Sequence, residues 1–104
     1  MSEENVRLHV MIKGIVQGVG FRFFVFNHGQ QLRLNGWVRN RINGAVEVLA
    51  EGQRPKLEKF LELISQGPSH AQVEKTEVKW LEAQSDLPPF TVRWTLKISL
   101  HLPG

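Results

Sequence analysis

Two stretches of helical periodicity set among runs of strand-like alternation predict an α+β fold for this 104-residue chain. The order strand, helix, strand, strand, helix, strand, strand lets both helices cover one face of an antiparallel sheet. The sequence therefore predicts a ferredoxin-like sandwich, βαββαββ, with two helices on one face of a four- to five-stranded antiparallel sheet. Asn43-Gly44, Gly67-Pro68 and Leu87-Pro88-Pro89 punctuate it, as turn residues should.

The elements follow in order. Val6, Leu8, Val10 and Ile12 fall on one face of a first strand with the period of two that marks a half-buried sheet. A glycine-rich stretch, Gly14-Ile15-Val16-Gln17-Gly18-Val19-Gly20, comes next. Phe21, Phe24, Val25, His28 and Leu32 then recur at helical spacing, so a helix is expected to begin near Phe21. Gly29 inside it costs about 1 kcal/mol relative to Ala. Gly36–Asn40 and Ala45–Ala50 flank Ile42-Asn43-Gly44, a hairpin signal because Asn and Gly both tolerate positive φ. The second helix has Pro55 near its start, Leu57, Phe60, Leu61 and Ile64 on one face, and Gly67-Pro68 as its stop. Val73 to Leu81 reads as a strand with a change of parity that fits a bulge. From Phe90 onward Val92, Trp94, Leu96, Ile98, Leu100 and Leu102 alternate with polar residues.

At this length there is room for one domain, 1–104, with its core over 6–94 and an extension over 95–104. The composition, 41% hydrophobic and 22% charged, is that of a globular domain and excludes a disordered one. No apolar run approaches the roughly 20 residues that span a bilayer, and Met1-Ser2-Glu3-Glu4-Asn5 is too acidic and polar for a signal peptide. The absence of cysteine excludes a disulfide framework, a thiolate zinc site and a cysteine nucleophile, and a cytoplasmic location is expected. The formal charge of +3 comes from scattered Lys and Arg rather than a basic block. It fits ordinary surface charge or a single anionic ligand.

The chemically informative segment runs from Gly14 to Arg22. It leaves a strand, passes three glycines and enters a helix. Glycines there let successive N–H groups turn inward as an anion-binding nest, to which the helix dipole adds positive charge. Arg22 falls in the helix's first turn, where a cation opposes that dipole unless an anion binds between them. Two familiar phosphate loops are excluded. A P-loop would end in Gly-Lys-Ser/Thr where Phe21-Arg22 follows Gly20, and a dinucleotide fingerprint would need glycine in place of Phe23. On these grounds alone a plain turn with a surface arginine fits as well.

Gly14-Ile15-Val16-Gln17-Gly18-Val19-Gly20-Phe21-Arg22 closely resembles the first signature of acylphosphatases. Gly36-Trp37-Val38-Arg39-Asn40, with Asn43-Gly44 and Val46-Glu47, resembles their second, and Gly67-Pro68 with Ala71, Val73 and Val78 their later pattern. The resemblance covers about Val6 to Trp94. It implies that the backbone of Gln17, Gly18, Val19, Gly20, Phe21 and Arg22, with the Arg22 guanidinium, binds phosphate, and that Asn40 orients the attacking water. It implies an acyl phosphate as substrate, phosphate or sulfate as inhibitor, and no cofactor or metal. The sequence departs from the family where Ile15 replaces a common basic residue, Asn43 a common Asp, Gly29 a common Ala and Arg33 a common Gly. Losing the charge at 15 is expected to weaken substrate attraction.

These residue types suit that chemistry. A guanidinium fork matches phosphate oxygens two at a time, and phosphoryl transfer needs positioning and charge stabilisation more than covalent work. An acyl phosphate expels a carboxylate of pKa about 4, so no general acid is required, and no Asp, Glu or His lies between Gly14 and Phe26. A phosphate monoester would need an acid or a metal.

The remaining polar and aromatic residues invite plainer readings. His9, His28, His70 and His101 lack metal-ligand spacing. His28 reads as packed and hydrogen-bonded on the apolar helix face, His9 as solvated, Arg39 and Arg41 as a solvated strand edge. Trp37, Trp80 and Trp94 read as core or core edge. An RNA-recognition module has a similar element order, but the open face offers Arg7, His9, Met11 and Lys13, then Ala45, Glu47 and Leu49, with no aromatic platform for bases. No nucleic-acid or membrane partner is expected. An anion-binding accessory domain without turnover is the other alternative. The protein is expected to be a monomer. The 95–104 extension, whose apolar alternation suits pairing with a sheet edge, is the route by which copies would associate.

Overall fold

A computed structural model gives the fold and describes residues 4–94. The expectations for 95–104 lie outside the described residues. Five strands and two helices follow in the order β1 (Asn5–Ile15), α1 (Phe21–Gln31), β2 (Asn35–Asn40), β3 (Val46–Gln53), α2 (Arg54–Gln66), β4 (Gln72–Glu82) and β5 (Thr91–Val92). The sheet runs β4-β1-β3-β2-β5. This is the ferredoxin-like sandwich that the periodicity predicts, and among the described residues no helix is long and apolar enough to cross a membrane.

The core forms where the two periods meet. Leu8, Val10 and Ile12 of β1, Val38 of β2, and Val46, Val48 and Ala50 of β3 are fully buried under Phe21 and Val25 of α1 and Leu57, Phe60 and Ile64 of α2. Gly29 is more than a weak point in α1. A Cβ there would stand 2.5 Å from a ring carbon of Phe90. Phe90 is buried in this notch and meets Phe60 edge-on. The close approach recovers in packing what the glycine loses in helix propensity. Helix α1 ends in a Schellman motif, with Arg33 N–H donating to Gln30 O and Leu34 N–H to Gly29 O. That motif places Arg33 at φ 56, the left-handed conformation in which glycine is at ease.

The parity change in β4 is a bulge. Lys13 pairs with Lys75 but Gly14 with Val73, so Glu74 is the extra residue. The expectation of a wholly antiparallel sheet is corrected, because β5 runs parallel to β2. The cause is the path of 83–90. After β4 at one edge, this segment crosses under the end of the sheet where β1 and β2 begin. The Glu51 carboxylate accepts from the N–H groups of Gln84 and Ser85, Arg7 reaches Asp86, and Gly36 N–H donates to Pro88 O. The chain thus enters β5 at the end where β2 also begins, and must run the same way. In consequence the loop after β1, the end of β2 and the end of β5 all lie at the opposite end of the sheet.

Candidate active site

At that end β1 stops at Ile15 and the loop 16–20 turns into α1, which begins at Phe21 as expected. Gly18 and Gly20 take φ 77 and 78, and nothing lies within 4 Å of where a Cβ would stand on either. The backbone here is left-handed, which only glycine adopts cheaply, and it is open to approach. Gly20 is the N-cap of α1, its carbonyl accepting from Phe24 N–H at 3.0 Å. It supplies no side-chain cap, and the first turn holds no acidic residue. The first N–H groups of an α-helix have no partner within the helix, so this terminus offers donors and a positive dipole end.

Arg22 is half-buried in that first turn. Its guanidinium lies 4.8 Å from the ring centroid of Trp94. No carboxylate among the described residues forms an ion pair with it. Asn40 is half-buried at the last position of β2, paired across from Val46. It shares the parity of Val38, so it faces the helix layer rather than the open face of the sheet. Gln17 joins loop to strand end: its Nε2 donates to Arg41 O at 2.8 Å and to Ala45 O at 2.9 Å. The β2–β3 turn is closed by Asn43 Oδ1 accepting from Ala45 N–H at 3.1 Å, so Asn43 does serve the turn. The loop 17–22 and the strand bearing Asn40 are therefore one assembly.

Several expectations for neighbouring residues are corrected. Arg39 and Arg41 are more than a solvated edge. Glu47 Oε1 accepts from Arg39 Nε at 2.9 Å and Arg41 Nη1 at 3.0 Å, while Oε2 lies 2.7 Å from His9 Nε2, so His9 is not merely solvated either. Burial alone would raise the Glu47 pKa, but His9, Arg39 and Arg41 outweigh it and hold the carboxyl below its usual range. The cross-strand register places Arg39 directly opposite Glu47, a pairing implicit in the hairpin turn. His28 packs edge-on against Phe24 at 4.6 Å. Trp37 is buried between Arg39 and Arg93, and Trp80 is half-buried under Arg54. Trp94, expected in the core or at its edge, is exposed beside Arg22. Its placement depends on the parallel pairing of β5, which nothing local encodes.

A two-layer α+β domain in which a glycine loop and a helix N-terminus converge with an arginine has the arrangement from which anion sites are built. Comparison places it more narrowly. The acylphosphatase family model matches residues 8–92. An acylphosphatase of Moorella thermoacetica is 46% identical over 81 residues, covering 78% of this chain and 87% of that protein. One of Chloroflexus aurantiacus is 44% identical over 89 residues, covering 86% and 97%. The crystal structure of acylphosphatase from Bacillus subtilis superposes with a TM-score of 0.81 at 34% identity, covering 85% of this chain and 98% of that one. The chain belongs to the acylphosphatase family and is an enzyme of that class, a hydrolase of acyl phosphates.

Proposed function

We propose that this enzyme cleaves its substrate by in-line attack of a water oriented by Asn40 on a phosphate held by Arg22 and the backbone of 17–22. The carrying observation is Arg22 itself: a cation in the first turn of a helix, with no ion-paired carboxylate among the described residues and an open glycine loop before it. A phosphate satisfies guanidinium, dipole and loop N–H groups together.

The Asn40 carboxamide oxygen accepts a hydrogen bond from water and aims its lone pair at phosphorus. As the new P–O bond forms, the bond to the acyl oxygen breaks and its electron pair leaves on the carboxylate. The water's proton passes to a phosphate oxygen. Arg22 and the loop N–H groups stabilise the charge on the equatorial oxygens. The carboxylate departs unprotonated, so the site needs no acid. The reading also needs no metal.

The test is phosphate release from benzoyl phosphate and acetyl phosphate in EDTA, with p-nitrophenyl phosphate alongside. Rapid cleavage of the acyl phosphates but not the monoester is expected, with inhibition by inorganic phosphate or sulfate. Activity that vanishes in EDTA and returns with a divalent ion overturns the mechanism. Tight phosphate binding without turnover would make the chain an accessory domain instead.

A further inference from the structure

The proposed mechanism leaves one side chain at the site unused. β5 pairs with β2 through Trp37 with Thr91 and Val38 with Val92, and Arg93 N–H donates to Val38 O at 2.8 Å. Continuing that parallel register sets Trp94 level with Asn40 on the neighbouring strand. Its indole meets the Arg22 guanidinium yet remains 70% exposed.

Trp94 is not alone. The large exposed apolar side chains among the described residues are Ile15, Phe23, Ile42, Val78, Leu81 and Trp94. Val78 and Leu81 belong to β4, the far edge of the sheet. The others sit on the segments that build the site. Ile15, 53% exposed, ends β1 where the loop begins. Ile42, 78% exposed, tips the hairpin that Gln17 ties to the loop. Phe23 follows Arg22 in the first helical turn. Apolar side chains held in water around a polar cradle mark a surface that gains by covering.

We propose that Trp94, with Ile42 at the tip of the neighbouring hairpin, forms an apolar rim that receives the acyl group of the substrate. The enzyme then prefers acyl phosphates with an aromatic or branched apolar acyl group over acetyl phosphate. The inference rests on reading Arg22 and the loop as the phosphate site. A phosphate seated there directs its free oxygens at the loop and its acyl oxygen outward, so the acyl group crosses the rim. The Trp94 ring offers it a flat apolar wall.

The experiment measures kcat/KM for benzoyl and acetyl phosphate in wild type, Trp94→Ala, Trp94→Phe and Ile42→Ala. Each value is taken relative to wild type on the same substrate, which cancels intrinsic leaving-group reactivity. Inhibition by inorganic phosphate is followed in each variant. In Trp94→Ala the benzoyl-to-acetyl ratio should fall about tenfold, the lower range of discrimination by an apolar pocket. Trp94→Phe should keep most of it. Ile42→Ala, at an exposed turn position that can be truncated without touching the core, should lower the ratio about twofold to threefold. Ratios unchanged in both alanine variants overturn the proposal. So does an equal loss on both substrates with weakened phosphate inhibition, which would mean that Trp94 acts only by holding Arg22. If wild type cleaves neither substrate and does not bind inorganic phosphate, it is the phosphate-site reading that has failed.

Discussion

The open face of the sheet and the loop end of the molecule both gather arginines, and they treat them in opposite ways. On the open face Arg7 meets Glu51 and Asp86, and Arg39 and Arg41 share Glu47. At the loop end Arg22 meets an aromatic ring and the positive end of its own helix. A cation whose charge is answered by a buried carboxylate is part of the architecture, and removing either partner leaves the other unpaired. A cation set against a helix N-terminus with no carboxylate answering it is stable in the presence of an anion from outside. Arg22 stands out in the sequence behind its glycine loop; the ion pairs of Arg7, Arg39 and Arg41 emerge only from the fold.

The sharpest way to break this contrast is to truncate one arginine of each kind. Arg22→Ala should lower kcat/KM for benzoyl phosphate at least about a thousandfold, roughly 4 kcal/mol of barrier, while Arg39→Ala stays within about threefold. Comparable losses in both would erase the distinction. Next in size, Asn40→Ala should lower kcat about a hundredfold while inhibition by inorganic phosphate persists. Inhibition lost together with turnover would place Asn40 on the phosphate rather than the water.

Glu47→Gln probes the other region. It replaces a carboxylate that is only 7% exposed and accepts from three side chains, so urea unfolding should show a loss of about 1–3 kcal/mol with activity retained by the folded enzyme. Acid should report the same network. The Glu47 and Glu51 pKa values both lie below the usual carboxylate range. Burial opposes this, but for Glu47 the bonds from His9, Arg39 and Arg41 prevail, and for Glu51 those from Gln84 N–H, Arg7 and Ser85 N–H. Groups with depressed values stabilise the fold fully above their unfolded pKa, roughly 4.3, and lose that contribution as pH falls through the folded values. Wild type should therefore lose stability below about pH 4.3, and Glu47→Gln should lose less over the same interval. An identical acid profile in the two proteins would remove Glu47 from the account. The smallest effect expected is a gain. Arg33→Gly relieves a left-handed residue at the end of α1 and should raise stability by about 1 kcal/mol, with kcat unchanged. A destabilised variant would show that Arg33 makes a contact worth more than its strain.

The local elements were legible because their signals are local. The alternation of Leu8, Val10 and Ile12, the helical spacing of Leu57, Phe60 and Ile64, and the Asn43-Gly44 turn each specify their own element. The glycine loop and the start of α1 at Phe21 were legible for the same reason: three glycines before an uncapped helix are contiguous in the chain. The direction of β5 was not, since it is set by 83–90 crossing the sheet end on bonds to Glu51, Arg7 and Gly36. Alternation alone does not tell a parallel partner from an antiparallel one. That single ambiguity hid the position of Trp94. The use of Gly29 is hidden on similar grounds, because its cost is local whereas its use, the seat of Phe90, comes from the other end of the domain.

The most direct test of the central claim is an amide and guanidinium chemical-shift titration of the folded protein with inorganic phosphate. Saturable shifts are expected on the backbone N–H groups of 17–22 and on Arg22 Nε, with the side chains of Arg39 and Arg41 left at their Glu47-bound positions. Shifts centred on Arg39 and Arg41, or no saturable shift in the loop, would contradict the claim.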